Sequence, residues 1–355
     1  MTSCGEAGRK LGVLCALGGE RPWEALDFPA AVGYKDASTL PQEDPVIIDI
    51  HSHMVDPAMA QYMATEPNPN MFNVSWLLEE QEKAGVDLTI ISNPSVIERT
   101  LEKSQASVLK VARAFDDYMA GLVQAHEGHL LGLAVTYPFG GEPFLKELER
   151  AVVELGLKGV MVNPRYTREF LDAQRAVPFF ELACQLDIPV YLHPPIETIG
   201  AEFMREFRLV EMVGRPCETT LGLARLIYYG VLERFPKLKI VASHLGGGIM
   251  MLPGRLNYGY EGKEDHSFGI WGPDYLKTTP GEYLKRIYVD TVSFHPPAVR
   301  CAIDTVGLDH VMLGSDFPPV PQPLVRTLGT VKALGLSPAD EAKVLGGNAR
   351  VLFKI

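Results

Sequence analysis

Val46-Ile47-Ile48-Asp49-Ile50-His51-Ser52-His53 is an apolar run that ends in two histidines one residue apart. Side chains alternate along a strand, so His51 and His53 leave on the same side and both imidazoles can reach one ion. Two neutral imidazoles suit Zn²⁺ or a similar borderline metal. By the same alternation Asp49 points with them, to support or join a metal site or else to make a structural hydrogen bond. A His-x-His pair is common by chance, so its weight depends on what surrounds it.

Working outward, short apolar runs recur at 46–50, 88–92, 130–135, 159–162, 189–192, 239–242, 287–289 and 311–313, each fit for a strand buried on both faces. Amphipathic stretches lie between them, including 75–83, 101–123, 143–155, 219–234 and the closing 338–353. Eight successive βα units without hairpin turns predict an α/β fold, a closed (β/α)₈ TIM barrel. An open doubly wound sheet would carry a glycine-rich phosphate loop after its first strand; Gly246-Gly247-Gly248 follows strand six and lacks that spacing. The barrel is expected to span 45–355, with 1–44 as an extension interrupted by Pro22, Pro29, Gly33 and Pro41.

The 355 residues carry a net charge of −11 and no block of Lys or Arg, which argues against nucleic acid or an anionic membrane as partner and favours a small-molecule substrate. No stretch reaches the ~20 apolar residues of a membrane span. Arg9 and Lys10 before 11–17 imitate a secretory signal, but Gly18-Gly19-Glu20-Arg21-Pro22 offers no cleavage site. Cys4, Cys15, Cys184, Cys217 and Cys301 are widely spaced without a CxxC pair, so a reducing cytoplasm is the expected setting.

The remaining strand ends carry the chemistry. Strand five runs into His193-Pro194-Pro195, strand six into His244-Leu245-Gly246, and strand eight into Gly314-Ser315-Asp316-Phe317-Pro318. Each puts a His or Asp after an apolar strand and before a Gly or Pro break, where barrel enzymes hold their catalytic groups. His295 follows strand seven and is a candidate for the pocket mouth, while Lys158 precedes strand four at the wrong end to bridge two metals.

Together with IIDIHSH at 47–53, LHP at 192–194, GVLERFPKLKIVASHLGGG at 230–248, GR at 254–255, DTV at 290–292, LGSDFP at 313–318 and GGNARVLF at 346–353, the chain resembles the metal-dependent decarboxylases of the amidohydrolase superfamily, the group of aminocarboxymuconate semialdehyde decarboxylase. The resemblance implies one divalent metal, Zn²⁺ or alternatively Mn²⁺, on His51, His53, His193 and Asp316, with His244 as acid/base group. It also implies a homodimer in which Arg255 reaches into the neighbouring subunit's site to hold a substrate carboxylate.

The sequence departs from the type enzyme in ways that bear on substrate. No Lys or Arg occurs between His53 and Lys83, where that enzyme grips a carboxylate with an arginine, and Pro195 replaces its tryptophan. Related enzymes acting on hydroxybenzoates carry a glutamate where this chain has Gly247. The expected reaction is non-oxidative decarboxylation of a small carboxylated aromatic, heteroaromatic or enol-type substrate, with His244 or Asp316 delivering the proton. The same donor set is compatible with hydrolysis of a lactone, ester or amide, or with a structural metal in a non-catalytic barrel.

Overall fold

Each of the eight expected strands is present in the computed structural model, which describes residues 46–62, 69–101, 104–265, 267, 269–318 and 324–355. These residues belong to one unit, Lys35–Ile355. The expected extension 1–44 lies outside the described residues. The strands are β1 (Ile48–Ser52), β2 (Leu88–Ile91), β3 (Leu130–Gly132), β4 (Ala134–Val135), β5 (Val160–Val162), β6 (Arg165–Tyr166), β7 (Glu169–Phe170), β8 (Pro189–Leu192), β9 (Lys239–Ala242), β10 (Ile287–Asp290) and β11 (Val311–Met312).

Parallel pairing joins β1-β2-β3 in one sheet and β11-β10-β9-β8-β5-β4 in another. β3 and β4 are halves of the single strand expected at 130–135, parted at Leu133. At the opposite margins, Ile50 N donates to Leu313 O at 3.0 Å and Asp316 N to His51 O at 2.8 Å. Ser52 and Phe317 form a further parallel bridge. Parallel strands in chain order, separated by helices, are the arrangement of a (β/α)₈ barrel. No helix among the described residues is long and apolar enough to cross a membrane.

The strand sequences explain the layering. Val160, Val162, Val190 and Leu192 pack with the surrounding helices, whereas Ile48, Ile90, Leu133, Met161, Tyr191, Val241 and Met312 pack on one another as an inner cluster. Each such side chain, fully buried, contributes about 1.5–3 kcal/mol. Helices Val74–Ala84, Gln105–Ala125 and Glu142–Val153 match the expected periodic stretches. Two expected helices are broken. The one at 219–234 stops at Tyr228 and resumes at Val231 because Gly230 takes φ 72°. The closing helix is split into Pro338–Ala342 and Asn348–Phe353 by a π-turn. There the chain runs so close to the start of β1 that a Cβ on Gly346 would stand 1.9 Å from the Val46 carbonyl oxygen. The β6-β7 hairpin was not expected, its two-residue strands being too short to show alternation.

Candidate active site

His51 and His53 at the end of β1, His193 after β8 and Asp316 after β11 converge so that their four ligand atoms lie within 4.8 Å of one another. All four side chains are buried. His51 and His53 leave β1 on the same side, as expected, and the pairing register of β1 with β2 shifts between Asp49 and Ser52. Of the roles open to it, Asp49 takes the structural hydrogen bond. Its carboxylate accepts from His51 N at 3.0 Å, from Ser315 N at 3.0 Å and from Ser315 Oγ at 2.5 Å, tying β1 to the segment that carries Asp316. Burial pushes the Asp49 carboxyl up to about 7.

The tautomers follow from the partners. His53 Nδ1 lies 2.9 Å from Ser92 O, a carbonyl that can only accept, so Nδ1 bears the proton and Nε2 the lone pair. His51 Nδ1 donates to Asp290 Oδ2 at 2.7 Å, which assigns its Nε2 in the same way. Burial pushes the His51 imidazole down, and burial with the neighbouring imidazoles pushes His193 well down, so both are neutral. Two lone pairs therefore face each other across 3.1 Å between His51 Nε2 and His53 Nε2. Asp316 Oδ1 stands 3.1 Å from the second and 3.5 Å from the first. His193 Nε2 is buried with no hydrogen-bond partner among the described residues. Acceptors turned toward one point need a cation between them, and three imidazoles with one carboxylate are a donor set for a single divalent metal. A mononuclear metal-binding site is thus present. Lys158 lies ahead of β5, away from it.

His244 stands beside this group, its Nε2 3.3 Å from Asp316 Oδ2 and its Nδ1 3.2 Å from Ser243 Oγ. Asp316 thus presents one oxygen to His51 and His53 and the other to His244. Both residues are held in left-handed backbone, His244 at φ 53° and Asp316 at φ 56°, as is Leu245 at φ 57°. Such non-glycine conformations cost on the order of 1–3 kcal/mol each and persist where surrounding contacts impose them. Asp316 is held by its N–H to His51 O, and the His244-Leu245 turn by Asp290, at the end of β10. Its carboxylate accepts from His51 Nδ1, from Tyr191 OH at 2.8 Å, and from the backbone N–H groups of His244 (3.1 Å), Leu245 (3.0 Å) and Val292 (3.0 Å).

Asp290 and Tyr191 were not among the residues expected to matter, although Asp290 ends an apolar strand as Asp316 does. Gly247 explains one departure noted above. At φ 67° a Cβ there would lie 2.1 Å from Pro216 O, so this loop does not accept a glutamate. Arg255, expected in the neighbouring subunit's site, is exposed on helix Pro253–Glu261, and His295, expected at the pocket mouth, is exposed ahead of helix Pro296–Val306. Among the remaining histidines, His310 is half-buried, its ring 4.2 Å from that of Tyr288.

Comparison with known proteins agrees with the geometry. The Amidohydrolase family model matches residues 48–355. The chain is 28% identical over 289 residues to 2-amino-3-carboxymuconate-6-semialdehyde decarboxylase of Dictyostelium discoideum, covering 80% of this chain and 77% of that one. It is 27% identical over 297 residues to gamma-resorcylate decarboxylase of a Polaromonas species, covering 77% and 85%. Among solved structures, 5-carboxyvanillate decarboxylase from Sphingomonas paucimobilis superposes with a TM-score of 0.78 at 24% identity, over 88% of this chain and all of that one. A dihydroxybenzoic acid decarboxylase from Polaromonas, solved with manganese and the inhibitor 2-nitroresorcinol, gives 0.73 at 22% identity over 87% and 97%. The chain is therefore homologous to metal-dependent, non-oxidative decarboxylases of small carboxylated substrates. With a family model matched from its first strand to its last residue and a His-His-His-Asp metal site at the strand ends, the chain belongs to the amidohydrolase family.

Proposed function

We propose that this chain is a decarboxylase that replaces the carboxylate of a small aromatic, heteroaromatic or enol-type acid with a proton, without oxidation. The observation that carries the reading is the pair of imidazole lone pairs facing each other beside a carboxylate shared with His244. A divalent ion on His51, His53, His193 and Asp316, Zn²⁺ by donor set with Mn²⁺ as the alternative, would polarise a substrate oxygen next to the carboxylate. His244 Nε2 delivers the proton to the carboxyl-bearing carbon, with Asp316 Oδ2 beside it to orient the ring or share the proton. The C–H bond forms, the C–CO₂ bond breaks, and its electron pair returns to the ring as CO₂ leaves.

We further infer that the strands close into a complete (β/α)₈ barrel, on the hydrogen bonds from β1 to the β11 segment and the continuity of β3 with β4. A homodimer in which Arg255 enters the partner's site accords with an exposed arginine on a helix whose neighbours Met251 (79% exposed) and Tyr258 (64% exposed) are also uncovered. His295 is assigned to the rim of the pocket. The free thiols Cys184, Cys217 and Cys301 accord with a reducing cytoplasm.

The test is to incubate zinc- or manganese-loaded protein with carboxylated aromatic and heteroaromatic acids alongside lactones and amides, following CO₂ and substrate together. The proposal expects CO₂ in step with substrate loss, abolished by chelation. Substrate loss with water incorporated and no CO₂ would instead assign the chain to hydrolysis.

A further inference from the structure

We propose that Asn163 is a specificity-determining residue whose side-chain carbonyl accepts a hydrogen bond from a hydroxyl or amino group on the substrate ring. The inference rests on the decarboxylase reading and deepens it by naming a substituent the site recognises.

Register places Asn163 at the site. Met161 of β5 pairs with Tyr191 of β8, and both belong to the inner cluster. Asn163 and His193 are the first residues after these strands, and His193 N donates to Val162 O at 2.9 Å, so the parallel pairing runs on past Leu192 and sets the two residues side by side, one layer above Met161 and Tyr191. Asn163 is fully buried, and its Oδ1 has no hydrogen-bond partner among the described residues. The two orphaned polar atoms, His193 Nε2 and Asn163 Oδ1, thus belong to residues in adjacent positions at the carboxyl ends of neighbouring strands.

Two contacts keep that carbonyl from turning away. The backbone N–H of Asn163 donates to Tyr166 OH at 3.1 Å, and its Nδ2 donates to Glu98 Oε1 at 2.9 Å. Glu98 is itself held, its Oε2 accepting from Ile196 N at 3.2 Å. One carboxylate oxygen is committed to the loop after β8 and the other to the amide, so the amide is oriented with Oδ1 as its free end. A buried acceptor left unsatisfied costs about 1–3 kcal/mol, which makes it a strong reader of a donor that satisfies it and a poor host for a substituent that cannot.

The experiment uses metal-loaded full-length protein and unreactive probes in which a nitro group replaces the carboxylate. 2-Nitroresorcinol, 4-nitrocatechol and nitrohydroquinone are each compared with their monomethyl ethers by titration calorimetry. Wild type is expected to bind at least one hydroxyl form ~10-fold or more tightly than its ether. Asn163→Ala and the similarly sized, apolar Asn163→Leu are expected to bring that ratio close to one while melting within a few degrees of wild type. If wild type favours no hydroxyl form, or if its preference survives in the variants that fold, Asn163 is not the reader. Carbon dioxide release by wild type from the corresponding hydroxybenzoic acids is measured in parallel. Discrimination at Asn163 with no CO₂ from any acid would overturn the decarboxylase reading and leave the binding role standing.

Discussion

His51 Nε2 points at His53 Nε2 only because each ring is held by its other nitrogen, and for His51 that grip is Asp290. Asp290→Asn keeps the shape but removes the charge that fixes the His51 tautomer and replaces one acceptor oxygen with a donor. We expect the variant to remain folded by circular dichroism and to bind Zn²⁺ about 10–100-fold more weakly in competition with a chelator. An unchanged affinity would reduce Asp290 to a brace for the His244 turn. The five groups at strand ends, His51, His53, His193, His244 and Asp316, were legible because each follows an apolar run and is of a type that binds metal or moves protons. Asn163 offered no such sign. An uncharged amide becomes informative only once its partners are known, here Glu98 on one side and, among the described residues, no partner on the other.

At the level of elements, the strands and most helices follow from periodicity, while the features that shape the site interrupt it. The register shift in β1 and the left-handed residues His244, Leu245 and Asp316 are set by contacts from strands distant in sequence, and those contacts select the structural hydrogen bond among the roles open to Asp49. Glu98 is a comparable case, a side chain on the 3-10 turn Pro94–Thr100 that ties β5 to the loop after β8. Burial pushes its carboxyl up to about 7, with Asn163, Ile196 N and the Arg215 and Arg165 guanidiniums pulling the other way. The folded state then keeps a proton that the unfolded chain releases near 4.5. Between these values the folded state binds more protons, so this contribution is fully present below about 4.5 and is lost as pH rises through about 7. It is on the order of 3 kcal/mol. Glu98→Gln should therefore unfold in urea with a smaller difference in stability between pH 5 and pH 8 than wild type. Parallel pH dependence in both proteins would show that Glu98 does not titrate in this range.

For the whole molecule, the parallel strands alternating with helices were readable from eight apolar runs, whereas the proposed dimer rests on one exposed arginine and its exposed neighbours. If Arg255 serves the partner's site, His244→Ala and Arg255→Ala proteins are each nearly inactive, yet mixing them with subunit exchange creates one intact site in each heterodimer. Activity should then recover to about a quarter of wild type at equal amounts of the two. No recovery despite exchange would place Arg255 outside the reaction. Replacement of the substrate carboxylate by a proton from solvent is the central claim, and running the reaction in D₂O tests it most directly. One deuterium at the vacated ring carbon for each CO₂ released is expected, whereas product that carries solvent oxygen and retains its carboxylate would contradict it.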